Sequence, residues 1–364
     1  MNVEDLMTRN PQTVRGDEPL MAAVTKMWDV GFGAVLVVDE DDGLKGILRA
    51  WDIIGLLGQG FDLDIPCGPA VVGFASVLPQ QGMDTAATIA VAENSDLLPV
   101  VESGKVVGAI THYDFAAHRM LEPLLGPRTR GLLLEISPLD PHFSGQRGPY
   151  LVAGASALES VQHVLDATGH GEVSSVLDMG CGYGREARMF RAAFPDASIT
   201  ACDADPKAVA FCAETFGARP ACWSGNPTDI GVDGNYDLIW AGGLFRSLDP
   251  KHWPAHLRLL EAHLDERGVL IFTTLPWQNS SSLRALGVPA PEMASLQRLY
   301  EDQGFAYCPR LEDTESALSM SAPGWTRWLV HNSTKLRVVK QLLGEWATPY
   351  PREDVIACRL VDEE

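Results

Sequence analysis

The segment Val-Leu-Asp-Met-Gly-Cys-Gly-Tyr-Gly at 176–184 constrains the fold of this chain more than any other feature. An apolar run of strand length passes directly into Gly180, Gly182 and Gly184. Glycine has no Cβ, so such a loop turns sharply and lets a ligand approach the backbone. Dinucleotide-binding loops have the spacing Gly-x-Gly-x-x-Gly, because a pyrophosphate must reach the helix N-terminus. The tighter Gly-x-Gly-x-Gly spacing here predicts a cradle for a ligand without phosphate.

Strands and helices alternate on both sides of this loop. Apolar and β-branched runs predict strands at 175–179, 198–203, 219–223, 236–241 and 268–274, and helices at 154–167, 185–194, 206–216 and 253–264. This alternation predicts a parallel sheet with helices on both faces, which is an α/β fold of the doubly wound, Rossmann-like type. Ligands bind such sheets beyond the carboxyl ends of the strands, where the strand order reverses.

Asp203 ends the strand that follows the glycine loop. A carboxylate at this position is placed to accept hydrogen bonds from both ribose hydroxyls of an adenosine. Asp205 and Pro206 already offer an N-terminal cap for the next helix, so Asp203 is left for a ligand.

These motifs together resemble the class I S-adenosylmethionine (SAM)-dependent methyltransferases, over residues 142–360. The glycine segment matches that family's glycine motif, and Ala-Cys-Asp-Ala-Asp at 201–205 matches its ribose-binding motif. The segments at 236–241 and 268–274 match its fourth and fifth strands. The resemblance implies SAM as cofactor, held by Asp178, Gly180, Cys181, Gly182, Gly184, Asp203, Ala204, Asn226 and Trp240. Asn226 stands where many members have Asp, and its amide oxygen is suited to the adenine amino group.

Methyl transfer from a sulfonium has a neutral leaving group, so alignment and exclusion of water carry most of the rate. No catalytic residue is therefore assigned. The candidates for a base or a substrate contact are Tyr150, His142, Arg147 and Arg246. Family members often use the segment before the first helix as a lid, which favours Tyr150. An ordinary surface or capping role is an equal alternative for each of the four.

The charge balance constrains the partners. The chain has 28 Lys+Arg against 48 Asp+Glu, a formal net charge of -20, and this field repels a phosphodiester backbone. The Asn/Asp-Pro-Pro-aromatic run that clamps a flipped base is missing after the fourth strand. We therefore expect a small-molecule methyl acceptor and no nucleic acid. No run approaches a membrane span, the N-terminal residues lack the apolar core that a secretion signal needs, and the seven cysteines lack zinc spacing, so we expect a cytoplasmic protein without metal.

The first 120 residues contain an internal repeat. Gly-Ala-Val-Leu-Val-Val-Asp at 33–39 corresponds to Asp-Leu-Leu-Pro-Val-Val-Glu at 96–102, and Gly-Ile-Leu-Arg-Ala-Trp-Asp at 46–52 to Gly-Ala-Ile-Thr-His-Tyr-Asp at 108–114. Each half predicts a helix, two short strands and a second helix. One half cannot cover its own apolar face, so we expect the halves to pack together.

This repeat resembles a tandem pair of cystathionine-β-synthase-type (CBS) domains, through Leu-Met-Thr-Arg-Asn-Pro-Gln-Thr-Val at 6–14 and the segment at 108–114. The resemblance implies that Thr111 and Asp114 bind the phosphate and ribose of AMP, ADP or ATP. The first repeat has Asp52, but Arg49 replaces the hydroxyl residue, and an arginine there either serves a longer phosphate chain or blocks the pocket. The alternative is a pair of domains that binds no ligand and has a structural or dimerising role. The resemblance to CBS pairs also implies a homodimer.

Proline and glycine are dense between the two regions. The predicted organisation is a CBS pair at 1–122 (repeats at 1–60 and 61–122), a linker at 123–145, and a methyltransferase domain at 146–364. Two alternatives remain for the function. One is a SAM- or nucleotide-binding sensor or partner-binding protein without catalysis. The other is a nicotinamide-dependent oxidoreductase, which the loop spacing disfavours.

Overall fold

The computed structural model describes residues 1–224, 231–278, 280–309, 311, 317–346 and 352–361. The chain forms two compact units. The first contains residues 1–122 and 141–151, and the second contains 123–140 and 152–364. Part of the predicted linker thus belongs to each unit, and the predicted domain boundaries remain predictions. No helix among the described residues is long and apolar enough to cross a membrane.

The first unit contains two similar halves. Its elements are α1 (Val3–Leu6), β1 (Thr8–Arg9), β2 (Thr13–Arg15), α2 (Leu20–Val30), β3 (Ala34–Val38), β4 (Leu44–Arg49), α3 (Ala50–Gly58), α4 (Met83–Ala92), β5 (Leu97–Glu102), β6 (Lys105–Thr111) and α5 (His112–Leu125). The predicted order of helix, two strands and helix is confirmed in both halves.

The two halves exchange short segments between their sheets. One sheet has the order β2-β3-β4 and the other β1-β6-β5. The N-terminal β1 therefore pairs with the second half, antiparallel to β6, and Val72 forms the corresponding bridge to Ile47 of the first half. Leu36, Ile47, Leu97 and Ala109 share one buried apolar cluster. This shared cluster confirms that the halves pack together.

The second unit is built on a seven-stranded sheet. The elements after the first unit's strands are α6 (Arg147–Thr168), β7 (Ser175–Met179), α7 (Ala187–Ala193), β8 (Ser198–Asp203), α8 (Pro206–Phe216), β9 (Arg219–Cys222), β10 (Tyr236–Ala241), α9 (Leu244–Ser247), α10 (Trp253–Ala262), β11 (Leu264–Thr274), α11 (Ser280–Ala285), α12 (Met293–Gln303), β12 (Phe305–Cys308), β13 (Leu318–Ser321), α13 (Pro323–Ser333), β14 (Leu336–Trp346) and β15 (Glu353–Leu360). Helix α6 begins in the first unit and continues into the second.

The sheet has the order β14-β15-β11-β10-β7-β8-β9. The five strands that the sequence predicted are parallel to one another. Strand β15 is antiparallel to β11, and β14 is antiparallel to β15, so a prediction of parallel strands alone was incomplete. From β7 the chain continues to β8 and β9 on one side of the sheet, and then returns to β10 on the other side of β7. The strand order therefore reverses between β7 and β10. The Rossmann-like α/β class is confirmed, and a ligand site is expected at this switch point.

Local sequence explains the sharp bounds of α8. The Asp205 carboxylate accepts a hydrogen bond from the Lys207 amide, Pro206 occupies the first turn, and Gly217 ends the helix in the left-handed region at φ 62°. Helix α8 packs against the glycine loop through Gly184, where a Cβ would lie 2.2 Å from Phe216 Cε2. Gly184 is therefore required for packing as well as for its φ of 76°.

Candidate functional site

The glycine loop lies at the switch point of the sheet, directly after β7. Gly180 and Gly182 adopt φ values of 81° and 48°, which favour glycine. A Cβ on Gly182 would meet nothing within 4 Å, and one on Gly180 would meet only the Gly242 carbonyl at 4.0 Å. The loop therefore faces open space, in contrast to the tightly packed Gly184. It is also close to the turn after β10.

Asp203 ties this loop to the end of β8. Its Oδ2 accepts a hydrogen bond from the Gly182 amide at 2.9 Å, and its Oδ1 accepts one from the Asp205 amide at 2.9 Å. The Cys202 carbonyl accepts from the amides of Gly180 and Cys181, at 2.8 and 3.1 Å. A carboxylate offers about four lone-pair sites, so with respect to the described residues each oxygen of Asp203 keeps one acceptor position. Asp203 is half-buried and is next to the exposed Ala204.

Asp178, near the end of β7, is a buried carboxyl group with an unsatisfied oxygen. The residue is 1% exposed, and its Oδ2 has no hydrogen-bond partner in the described part of the chain. Burial, then the charges of Glu186 and Asp203, raise the pKa of Asp178 well above its usual value, while Arg185 lowers it. An unsatisfied buried group of this kind marks a candidate functional position.

A second buried carboxylate lies beyond the ends of β10 and β11. The Gly243 amide donates to Thr273 Oγ1 at 2.7 Å, and this hydroxyl donates to Glu353 Oε2 at 2.6 Å. Arg246 Nη1 donates to the other oxygen, Glu353 Oε1, at 3.2 Å. Glu353 is fully buried. Sequence reasoning missed it, although an acidic pair before the apolar run Val-Ile-Ala-Cys at 355–358 was a visible signal.

Aromatic side chains pack beside these groups. Trp240 is 1% exposed, and its ring makes edge-to-face contacts with Phe190 and Trp346 at centroid distances of 6.0 and 5.6 Å. The Trp346 indole donates to the Ala153 carbonyl at 3.1 Å, and the Arg185 guanidinium lies 5.6 Å from the Trp346 ring centroid. Trp240 is thus a core residue in this structure, and its contact with a cofactor remains a prediction.

The other predicted site residues are distributed over both units. His142, Arg147 and Tyr150 belong to the first unit and Arg246 to the second. His142 is exposed, and Tyr150 is buried and packs edge-to-face on Phe143. The roles of these four candidates remain predictions. Asn226 lies outside the described residues. No group of three or more His, Cys, Asp or Glu within the described ranges could hold a metal ion.

The predicted nucleotide residues of the second repeat are in direct contact. Asp114 Oδ2 accepts hydrogen bonds from the Thr111 amide at 2.7 Å and from the Thr111 hydroxyl at 2.9 Å. Burial raises the pKa of Asp114 to about 6, although the Thr111 hydrogen bonds lower it. A cavity of about 210 Å³ is lined by Thr111 together with Thr8, Phe32 and Ala109.

The equivalent position of the first repeat is arranged differently. Arg49 contacts both carboxylate oxygens of Asp52, with Nε 2.9 Å from Oδ2 and Nη2 3.1 Å from Oδ1. The neighbouring cavity, lined by Arg49, is only about 20 Å³. Of the two interpretations of Arg49, a blocked pocket agrees better with this geometry than a phosphate contact does.

Two segments of the chain match families of known proteins. Residues 177–270 match a family described as a methyltransferase domain, and residues 3–59 match the CBS domain. A curated relative, trans-aconitate 2-methyltransferase of Klebsiella pneumoniae (strain 342), is 37% identical over 98 residues, which are 25% of this chain and 38% of that enzyme. The chain thus matches well under half of that relative's length.

Two solved structures are also similar to part of this chain. Hypoxic Response Protein I is 25% identical, with a TM-score of 0.31 over 32% of this chain and 98% of that one. The CBS domain protein PAE2072 of Pyrobaculum aerophilum, complexed with AMP, is 21% identical, with a TM-score of 0.30 over 31% of this chain and 89% of that one.

Strand order, glycine loop and family match together define a methyltransferase domain with a Rossmann-like sheet. The chain combines this domain with a CBS domain region at its N-terminal end.

Replacing Arg246 by alanine tests the buried network around Glu353. Burial raises the pKa of Glu353, Arg246 lowers it, and the variant therefore raises it further. A carboxyl group whose pKa is higher in the folded than in the unfolded protein lowers the stability of the fold as the pH rises from the unfolded-state pKa to the folded-state pKa. Since Arg246 is partly exposed, we expect Arg246→Ala to lower the free energy of unfolding by about 2 kcal/mol at about pH 8, and by less at about pH 5.

Urea denaturation at the two pH values measures this difference. The matched control is the double variant Arg246→Ala/Glu353→Gln, in which no buried carboxylate is left unpaired and the loss should be smaller and independent of pH. An equal loss for Arg246→Ala at both pH values would show that the ion pair does not stabilise the fold.

Proposed function

We propose that this protein is a SAM-dependent methyltransferase that acts on a small molecule. The observation that carries the proposal is the position of Asp203 at the end of β8, next to a glycine loop with open space in front of it. The free lone pairs of Asp203 suit the two ribose hydroxyls of an adenosine, because hydrogen bonds to an ionised acceptor are stronger than neutral ones. Gly180 and Gly182 allow the ligand to approach the backbone.

The charges around the loop favour a cationic ligand. Asp178, Glu186 and Asp203 are close enough for their charges to raise the pKa of Asp178, and Arg185 is the cation that lowers it. SAM carries a sulfonium and an ammonium group, and it lacks the pyrophosphate of NAD, which this acidic surrounding would repel. A cationic group bound beside the buried Asp178 carboxyl group would favour its ionised form and so lower its raised pKa.

The residues of the chain would contribute mainly orientation and exclusion of water. SAM supplies a methyl group on a sulfonium whose leaving group is a neutral thioether. The glycine loop and Asp203 would fix the adenosine end, and the packed rings of Trp240 and Trp346 would keep water away from the reacting groups. Glu353 holds the Arg246 guanidinium beyond the end of β10, where we place the methyl acceptor.

A small acceptor agrees with the net charge of -20, which disfavours a nucleic acid. The partial similarity to a methyltransferase named for trans-aconitate points in the same direction. Tyr150, His142 and Arg147 remain candidates for contact with this acceptor. A general base is not required for every acceptor, since a nucleophile that is already deprotonated needs none.

We further propose that the N-terminal pair binds an adenosine nucleotide (AMP, ADP or ATP) as a regulatory ligand. The second repeat would provide this site, because Thr111 lines a cavity of about 210 Å³ and its hydroxyl donates to Asp114. Asp52 is paired with Arg49 and would not take part.

The test of the cofactor site is Asp203→Ala in the full chain. The variant loses the acceptor of two charge-assisted hydrogen bonds, so we expect SAM affinity to fall at least about tenfold. Calorimetric titration with SAM measures the affinity, and a thermal melt confirms that the variant is folded. Asp196→Ala, an exposed aspartate before β8, is the control and should bind normally.

Unchanged SAM affinity in a folded Asp203→Ala protein would place the ribose elsewhere. Transfer of an isotopically labelled methyl group to candidate acceptors distinguishes an enzyme from a sensor. Binding of SAM without transfer to any acceptor would favour the sensor.

We also propose that the N-terminal pair mediates a homodimer. Trp28 of α2 and Ile54 of α3 line one apolar pocket and are 85% and 54% exposed. Trp51, also on α3, is 79% exposed. Large exposed apolar side chains in one region are typical of an interface. Light scattering should give a dimer mass for the wild type and a monomer mass for Trp28→Glu. Trp328→Glu, at an exposed tryptophan of the second unit, is the control and should remain dimeric. A monomeric wild type would exclude the dimer.

A further inference from the structure

The segment at 144–148, predicted as the end of the linker and the start of the next domain, packs against the Thr111–Asp114 site of the first unit. Gly148 is buried, and a Cβ on it would lie 2.7 Å from Asp114 Oδ1 and 2.6 Å from the Tyr113 carbonyl carbon. Real Cβ atoms do not approach other atoms so closely. Only glycine therefore lets helix α6 begin directly against this carboxyl group.

Two side chains hold the segment in place. Gln146 Nε2 donates to the Val30 carbonyl at 3.2 Å, and Arg147 Nη1 donates to the Asp5 carbonyl at 3.1 Å. Ser144, Gly145 and Gln146 line the same cavity as Thr111. The segment is thus part of the wall of the site.

Its position leaves Asp114 closed to a ligand. Asp114 is 1% exposed, and its Oδ2 already accepts two hydrogen bonds from Thr111. Its Oδ1 lies against Gly148, whose backbone amide lowers the pKa of Asp114. A ribose that bridges a carboxylate needs these oxygens to be accessible. The remaining cavity of about 210 Å³ is also smaller than the roughly 300–1,000 Å³ that is usual for ligand pockets.

We propose that the segment at 144–148 is a built-in competitor of the nucleotide, so that an adenosine nucleotide binds Asp114 only when this segment withdraws. The inference rests on the proposed nucleotide binding by the N-terminal pair. The observed affinity is then the intrinsic affinity reduced by the fraction of molecules in which the site is open. Helix α6 continues into the second unit, so withdrawal of its first turn changes the start of an element that both units share.

The variant Gly148→Ala tests the competition in the full chain. The added Cβ cannot be accommodated against Asp114, so the segment should leave the site, and affinity for AMP, ADP or ATP should rise roughly tenfold. The matched control is Gly171→Ala, where a Cβ meets nothing within 4 Å, and its affinity should equal that of the wild type. Calorimetry measures all three proteins.

Equal, measurable nucleotide affinity in wild type and Gly148→Ala would overturn the competition and leave the nucleotide site standing. No binding to any of the three proteins would overturn both the competition and the proposed regulatory ligand.

Hydrogen exchange of the wild type gives a second readout, which does not depend on whether the variant folds. Amides of peptides covering 144–148 should exchange faster when nucleotide is added, because the segment has been displaced. Slower exchange would show that the segment closes over the nucleotide, and unchanged exchange that it does not move. Either result would contradict the proposal.

Discussion

The hydrogen bond from the Gly182 amide to Asp203 Oδ2 is the interaction on which the arrangement of the second unit's site depends. It joins the loop after β7 to the end of β8, and the Cys202 carbonyl strengthens the junction by accepting from two further loop amides. The loop is therefore fixed before any ligand arrives, and little conformational entropy is lost on binding. The close packing of Gly184 on Phe216 also holds this loop against helix α8. A rigid cradle with open space above Gly182 is the result.

Two buried carboxyl groups of the second unit, Glu353 and Asp178, differ in how their burial is compensated. Glu353 is paired with Arg246 and accepts the Thr273 hydroxyl, so it stabilises the turn after β10. Among the residues that the structure describes, Asp178 Oδ2 has no hydrogen-bond partner, and neighbouring acids raise the pKa of Asp178 further. Native proteins rarely leave a buried polar atom unsatisfied unless it has a function. The contrast distinguishes a structural carboxylate from one that is placed for a ligand.

Local sequence patterns were sufficient to predict the central strands of the second unit and the helix α8 beside them. The bounds of β7, β8, α8 and β10 agree with those that the sequence predicted, because strand length, the Asp205 cap and Gly217 are encoded within each element. The pairing of β14 and β15 was not predicted, since antiparallel addition at an edge depends on partners distant in sequence. Glu353 was missed for the same reason: its role follows from β15 lying next to β11. The segment at 144–148 was divided between the predicted linker and the predicted methyltransferase domain, whereas its packing on Asp114 is a tertiary effect.

The measurement that tests the central claim most directly is calorimetric titration of the full wild-type chain with SAM and, separately, with NAD. The glycine spacing, the acidic surroundings of Asp178 and the acceptor positions of Asp203 predict saturable binding of one SAM per chain that Asp203→Ala weakens, and no binding of NAD that this variant weakens. Binding of NAD that Asp203→Ala removes, without binding of SAM, would contradict the account, because it would require a pyrophosphate in a loop that has neither the spacing nor the charge to hold one.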